Sequence, residues 1–331
     1  MTTHYGDAGI SQRTNVYAAD QMLEHAKPVM VLEKLATPKQ MPKNKSDTIK
    51  FRRPRVFDAA TVPLQEGVTP TATSFGYDDV SATLTQYGMV VEITDKIEDL
   101  HEDPVLQDAT LQCGQNVGRT IEALNYGVVR GGTNVFYANG TQRTDVNTPI
   151  SLSKQRAVTR ALMAQKGMKI TSILSASQNF ATRAVEAAYV AVGHTDLASD
   201  IRNMPGFLPV AEYGQRNPIS EYEIGTVEDV RYILSPDLDP FLDAGGAKGS
   251  MVSTSGTSAD VYPVMYFAQA SWGQVALRGA GSISPTIIPV GQKTKDDPLG
   301  QRGYVGWKTW WAALVLNQLW MARLEVATTA L

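Results

Sequence analysis

One stretch restricts the fold of this chain more than any other. Between Asp103-Pro104, an N-cap followed by proline at a first helical position, and the stop at Gly131-Gly132, apolar residues recur at steps of three or four. They are Val105, Ala109, Cys113, Val117, Ile121, Leu124 and Val128. The spacing predicts a single helix over about residues 104–130, roughly 40 Å long and more than twice the usual length. Any body this chain forms must accommodate that rod. Gly114 and Gly118 within it cost about 1 kcal/mol each relative to alanine. A backbone or close neighbour crossing there accounts for them, and the plainer alternative is an imperfect core helix.

The remaining segments are shorter. Residues 153–166, closed by Gly167, and 177–192, closed by Gly193, each have a serine start and a glycine stop and predict two further helices. Residues 48–57 and 80–91 read as strands separated by Pro63, Gly67, Pro70 and Gly76. That connection is too long for a tight hairpin and too polar to make a core. A two-stranded ribbon is marginal in water unless something packs on it, so its support is another part of the structure or another subunit. Further strands are expected at 230–234, 261–267 and 275–277, with 245–258 an exposed, mobile loop of small residues. Residues 1–47 mix a short helical candidate at 17–34 with Pro28, Pro38 and Pro42 and read as an extended arm. From Asp297 onward a glycine-punctuated turn leads into two strands read as a pair. They hold Trp307, Trp310, Trp311 and Trp320, four of the five tryptophans. Such rings suit a sheet packed on one face and contacted on the other.

A chain of 331 residues is long enough for two lobes. A net charge of -3 argues against a globally basic nucleic-acid binder, yet residues 39–55 hold seven basic residues and only Asp47 as an acid. The single cysteine, Cys113, excludes an internal disulfide, fits a reducing cytoplasm and reads as core packing. No run of about 18 apolar residues spans a bilayer, and the first residues lack a signal-peptide layout, so the product is expected to stay inside the cell that makes it.

No catalytic, cofactor-binding or metal site is expected. His4, His25, His101 and His194 stand far apart, and no cysteine cluster completes a metal site. The 245–250 glycine-rich stretch lacks a phosphate-cradling pattern and a preceding strand. The pairs Glu98-Asp99, Glu102-Asp103 and Asp296-Asp297 read as solvated charges or helix caps. The one dense basic cluster is Arg52, Arg53 and Arg55 beside Lys50. Three readings stay open for it: a solvated face, salt bridges to an acidic patch on another subunit, and contact with DNA. On a strand Arg53 and Arg55 share a side and Arg52 does not, and Glu66, Asp78 and Asp79 supply acids as partners. Arg302 in its glycine turn reads as a fork pinning carbonyls or carboxylates. These residues and Trp307 are the candidates for contacts between subunits, and Lys39, Lys43 and Lys45 the candidates for facing DNA.

The residues 297–325 resemble the C-terminal signature of a group of major capsid proteins of tailed bacteriophages. Glu223-Ile-Gly-Thr-Val-Glu-Asp-Val-Arg-Tyr-Ile-Leu-Ser-Pro is similar to the family's internal strand motif, and Tyr262-Pro-Val-Met-Tyr-Phe-Ala with Ala270-Ser-Trp-Gly to the stretch after it. Thr48-Ile-Lys-Phe-Arg-Arg, Pro63-Leu-Gln-Glu-Gly-Val-Thr-Pro and Gln86-Tyr-Gly match in order and approximate spacing. The resemblance implies the α+β fold of the lambdoid Hong Kong phage shell. It divides the chain into an N-terminal arm (1–47), an extended loop (48–91), a peripheral domain with a spine helix (92–170 and 285–331) and an axial domain (171–284). It implies a non-enzymatic protein without cofactor or membrane association. Such a protein assembles with itself into hexamers and pentamers of an icosahedral shell around double-stranded DNA, first in the host cytoplasm and then in the virion. Portal protein, decoration proteins and non-specific DNA contact follow as expected partners. Because Met1 is retained, a separate scaffolding protein is expected. The alternative reading is an encapsulin-like compartment enclosing protein cargo, and a third is a hydrolase or transferase with an unrecognised site.

Overall fold

A computed structural model describes residues 30–331 except 65, 68, 70, 97–104, 175–181, 215, 216, 278–282, 294 and 296. The helical candidate at 17–34 lies outside the described residues save its end, where Leu32–Leu35 form a short 3-10 turn. The Asp103-Pro104 cap and the pairs at 98–99 and 102–103 also lie outside them.

The long helix forms as its stripe requires: α1 spans Val105–Arg130. Its buried face is turned slightly from the predicted one and includes Gly114, Gly118, Glu122 and Asn125 beside Cys113, Val117, Ile121 and Val129. Two sheets share this helix. The first has five strands: β1 (Thr37–Met41), β4 (Thr85–Thr94), β12 (Trp272–Leu277), β13 (Ile283–Ile288) and β14 (Arg302–Val315). Here β14 is central, with β4 along residues 302–311. Strands β13 and β12 follow one another opposite residues 304–309 and 311–315. Cys113, Val117 and Ile121 of α1 pack on Val305, Trp307 and Trp311 of this sheet. Trp307 and Trp311 donate their indole N–H groups to Asn116 (3.2 Å) and Asn125 (3.0 Å). The Cys113 thiol lies 3.9 Å from the Val305 carbonyl, which brings a strand backbone against the part of the helix that carries its buried glycines.

The second sheet has eight strands: β5 (Val135–Tyr137), β6 (Ile170–Leu174), β7 (Thr182–His194), β8 (Phe207–Pro209), β9 (Glu223–Val227), β10 (Val230–Ser235), β11 (Tyr262–Phe267) and β15 (Met321–Val326). The C-terminal end of α1, through Tyr126 and Val129, covers one face of it together with Val31, Leu32 and Trp272. Helix α2 (Leu152–Ala164) covers the other face with Val158 and Leu162. A buried polar chain fastens α2: Gln155 donates to the Val227 carbonyl (2.8 Å) and accepts from the Tyr232 hydroxyl (2.8 Å), which lies 2.9 Å from that of Tyr266.

Three expectations need correction. Residues 182–192, read as helix, lie in strand β7, which pairs with β6, β10 and β11. Val190, Ala191 and Val192 are fully buried between those neighbours, and pairing on both edges overrides the helical preference of an alanine-rich run. The last two strands are not a hairpin, since β14 belongs to the first sheet and β15 to the second. The chain crosses where the Leu316 and Asn317 amides both donate to the Ser271 carbonyl (2.9 and 3.0 Å). The 245–258 loop is held in place. The Asp243 carboxylate accepts from the Ser255 amide (2.9 Å) and hydroxyl (2.7 Å), and Asp260 accepts from the Asp243 amide (2.7 Å). A Cβ on Gly245 would meet the Val146 carbonyl at 2.3 Å, so this glycine serves close packing.

One ionic cluster joins the end of α1 to the second sheet. The Glu325 side chain is 0% exposed; it accepts two 2.8 Å hydrogen bonds from Arg143 and lies 2.8 Å from Arg323 Nε. Arg323 also donates to the Arg130 carbonyl at the helix end. The guanidinium groups of Arg130 and Arg143 stack on the Phe241 ring at 3.6 and 3.5 Å.

Candidate assembly interface

The ribbon expected between residues 48 and 91 projects from the first sheet. Strands β2 (Thr48–Pro54) and β3 (Tyr77–Thr83) pair only with each other among the described residues, in a register that sets Arg52 opposite Asp79 and Arg53 opposite Asp78. The predicted strand 80–91 is therefore two strands that change sheets at Leu84. Its side chain is buried with Met41, Val275 and Leu314, and its amide donates to the Asp47 carbonyl (2.8 Å), anchoring the ribbon's base.

The basic cluster finds its acids on the neighbouring strand. Arg52 forks onto both Asp79 oxygens (2.8 and 3.1 Å), while Arg53 (3.5 Å) and Arg55 (2.7 Å) share Asp78, as strand alternation requires. Hydrogen bonds from Arg55 and Arg52 hold the Asp78 and Asp79 carboxyls below the usual carboxylate range. The pairs are therefore present at neutral pH and fail as pH falls below the ordinary value near 3.8. Lys39 donates to the Lys50 carbonyl (2.8 Å) and lies over the Phe51 ring, tying the ribbon to β1. Replacing Asp78 and Asp79 with asparagine should speed amide exchange across 48–54 and 77–83 without moving the melting temperature of the body. Unchanged exchange would show that these pairs do not stiffen the ribbon.

Beyond the ion pairs the ribbon turns apolar. Phe75 packs on Phe57 (centroids 5.9 Å) and edge-on to Tyr77 (4.7 Å), but Phe57 stays 54% exposed and Val56 89% exposed, with Val62 and Leu64 also in solvent. Isolated exposed apolar residues need no explanation, whereas a contiguous cluster on a projecting ribbon marks a contact surface. Sequence reading concentrated on the arginines and passed over these residues. Their signal was present: large apolar side chains in a connection too polar to make a core.

The other candidates are scattered. Arg302 lies 3.4 Å from Glu92 across β14 and β4. Trp307 is 4% exposed beneath α1, and Trp310 is the ring of that strand that reaches the surface. Glu66 is exposed near the ribbon tip, and Lys43 and Lys45 are exposed in the turn between β1 and β2. Among the described residues, no group of three or more His, Cys, Asp or Glu side chains is placed to hold a metal ion. No described helix is long and apolar enough to cross a membrane.

This architecture, two sheets on one long helix with a projecting ribbon, is that of the shell proteins of tailed phages. The capsid of Ralstonia phage GP4 superposes with a TM-score of 0.66 at 13% identity, covering 91% of this chain and 89% of that one. The capsid of cyanophage Pam1 superposes at 0.64 and 13%, covering 92% of each. The head structure of Helicobacter pylori bacteriophage KHP40 gives 0.56 and 10%, covering 91% and 90%. No curated protein matches the sequence. The family model described as phage capsid protein matches residues 77–323, and the chain belongs to that family. It is a major capsid protein, and its place is the head shell of the virion.

Proposed function

We propose that the shell is an icosahedral lattice of hexamers and pentamers in which the ribbon of each subunit lies across a neighbour. The observation that carries this reading is the exposed Phe57–Phe75 cluster at the end of a ribbon whose charges are already paired internally. A ribbon stiffened before assembly loses little entropy on docking, and its apolar end supplies the contact. Once one contact forms, those that follow are effectively intramolecular, so modest interfaces add up to a stable shell. The protein works without catalysis or cofactor.

In this reading residues 1–47 are the arm and 48–91 the extended loop. Residues 92–170 with 285–331 make the peripheral domain around α1, and 171–284 the axial domain, with β12 of the axial domain joining the first sheet and β5 and β15 of the peripheral domain joining the second. The shell encloses double-stranded DNA, met by scattered basic residues such as Lys43 and Lys45 without base readout. Portal, scaffolding and decoration proteins complete the partners. Family membership favours this over the compartment that encloses enzyme cargo. The test is expression alone and with portal and scaffold, followed by negative-stain electron microscopy. Closed shells or capsomers are expected, and monodisperse monomers under every condition would overturn the proposal.

A further inference from the structure

Helix α1 turns one carboxyl group into the core. Glu122 is 0% exposed, and its hydrogen bonds run to backbone. One oxygen accepts the amides of Val31 (3.3 Å) and Leu32 (3.0 Å), and the other lies 3.3 Å from the Leu32 nitrogen. These are the first amides of the 3-10 turn Leu32–Leu35, whose own N-cap residue, Val31, offers no side-chain oxygen. A side chain about ninety residues away in sequence thus caps the turn by which residues 30–36 join the body. Val31, Leu32, Leu35 and Ala36 are buried there with Tyr126, Val129 and Trp272.

The charged surroundings are mostly acidic. Glu33 and Lys34 face the site from the turn itself, and Asp237 from the segment after β10. Lys34 reaches Ser220 (3.4 Å) and also feels Glu221 and Arg183. Burial raises the Glu122 carboxyl to about 8, outweighing its amide hydrogen bonds, and raises Glu33 to about 7; it lowers the Lys34 amine. Burial also raises Tyr126 on α1 to about 12, so its hydroxyl keeps its proton throughout the neutral range.

We propose that Glu122 and Glu33 make this junction a proton-operated latch. With both carboxyls protonated, residues 30–36 lie closed on α1; with both ionised, the fully buried charge of Glu122 and the half-buried charge of Glu33 repel and drive the segment open. The closed form binds each proton more tightly than the open form. The latch is therefore firmest below the ordinary carboxylate value of 4.5 and weakens as pH rises towards about 8, where it levels off. Each acid raises the opening equilibrium up to about tenfold per pH unit within its window.

The test is amide hydrogen exchange at Val31 and Leu32 in the full-length, unassembled subunit between pH 5.5 and 8.5, corrected for the intrinsic pH dependence of exchange. A rise of about tenfold or more per unit between pH 6 and 7.5 is expected. Glu122→Gln, which keeps an acceptor oxygen but cannot ionise, should lose most of that slope, and Glu33→Gln should remove the part confined to lower pH. Protection independent of pH in the unaltered chain, or equal slopes in all three proteins, would overturn the latch. If Glu122→Gln fails to fold, the unaltered chain and Glu33→Gln still decide. A single subunit suffices for the measurement, so its outcome is separate from whether shells form.

Discussion

Glu325→Gln is expected to lower the unfolding free energy of the unassembled subunit by about 3–5 kcal/mol, the usual loss when one partner of a buried ionic cluster is removed. Glu325 is fully buried and is the carboxylate that both Arg143 and Arg323 reach, while Arg130 stacks nearby on Phe241. Without that charge, the desolvated Arg323 is left beside two other guanidinium groups. The damage falls where the end of α1, the turn at Arg143 and strand β15 meet. Arg143→Ala should cost less, since Glu325 keeps Arg323 and the Arg143 side chain is 32% exposed. Urea unfolding followed by tryptophan fluorescence measures both. A loss under about 1 kcal/mol for Glu325→Gln would mean that the arginines are stabilised by solvent and the Phe241 ring instead.

Replacing Phe57 and Phe75 together with serine is expected to leave the subunit as stable as before and to abolish shells. Both rings are more than half exposed, so their removal takes little from the folded subunit. At a docked interface each is an aromatic anchor, worth about 2 kcal/mol or roughly thirtyfold in affinity. Every subunit contributes the same contact, so the loss is repeated around each ring and shell closure amplifies it. Sedimentation velocity should show subunits or small oligomers with unchanged circular dichroism and melting temperature. Shells at normal yield would place the decisive contacts elsewhere.

Helix α1 was legible because its stripe of apolar residues runs for seven turns, too long for accident. The pairing of Arg52, Arg53 and Arg55 with Asp78 and Asp79 was half legible. Alternation separated Arg52 from the other two, but the register that made the acids internal partners depends on where the ribbon folds back. Strand β7 was misread because Ala184, Ala187, Ala188 and Ala191 favour a helix locally, while its structure is decided by neighbours distant in sequence. The same holds for the tryptophan-rich end. Its two strands are plain in the sequence, but which sheet each joins is a tertiary matter. Glu122 left no trace at all: next to Ile121 it reads as an ordinary surface residue of a helix, and only the folded chain shows which segment it caps.

The crossing from β14 to β15 also determines how the molecule bears tension. Strand β14 lies within the first sheet along fourteen residues, and six residues later the same chain is woven between β5 and β11 of the second. A pull on the second sheet is therefore passed to this strand, as well as through the shorter crossing from β11 to β12. Loaded along its length, a strand paired on both edges has its lateral hydrogen bonds slide together rather than unzip one after another. Such shear loading is the stiff direction of a sheet, and it makes the C-terminal segment a tendon between the two halves of the subunit.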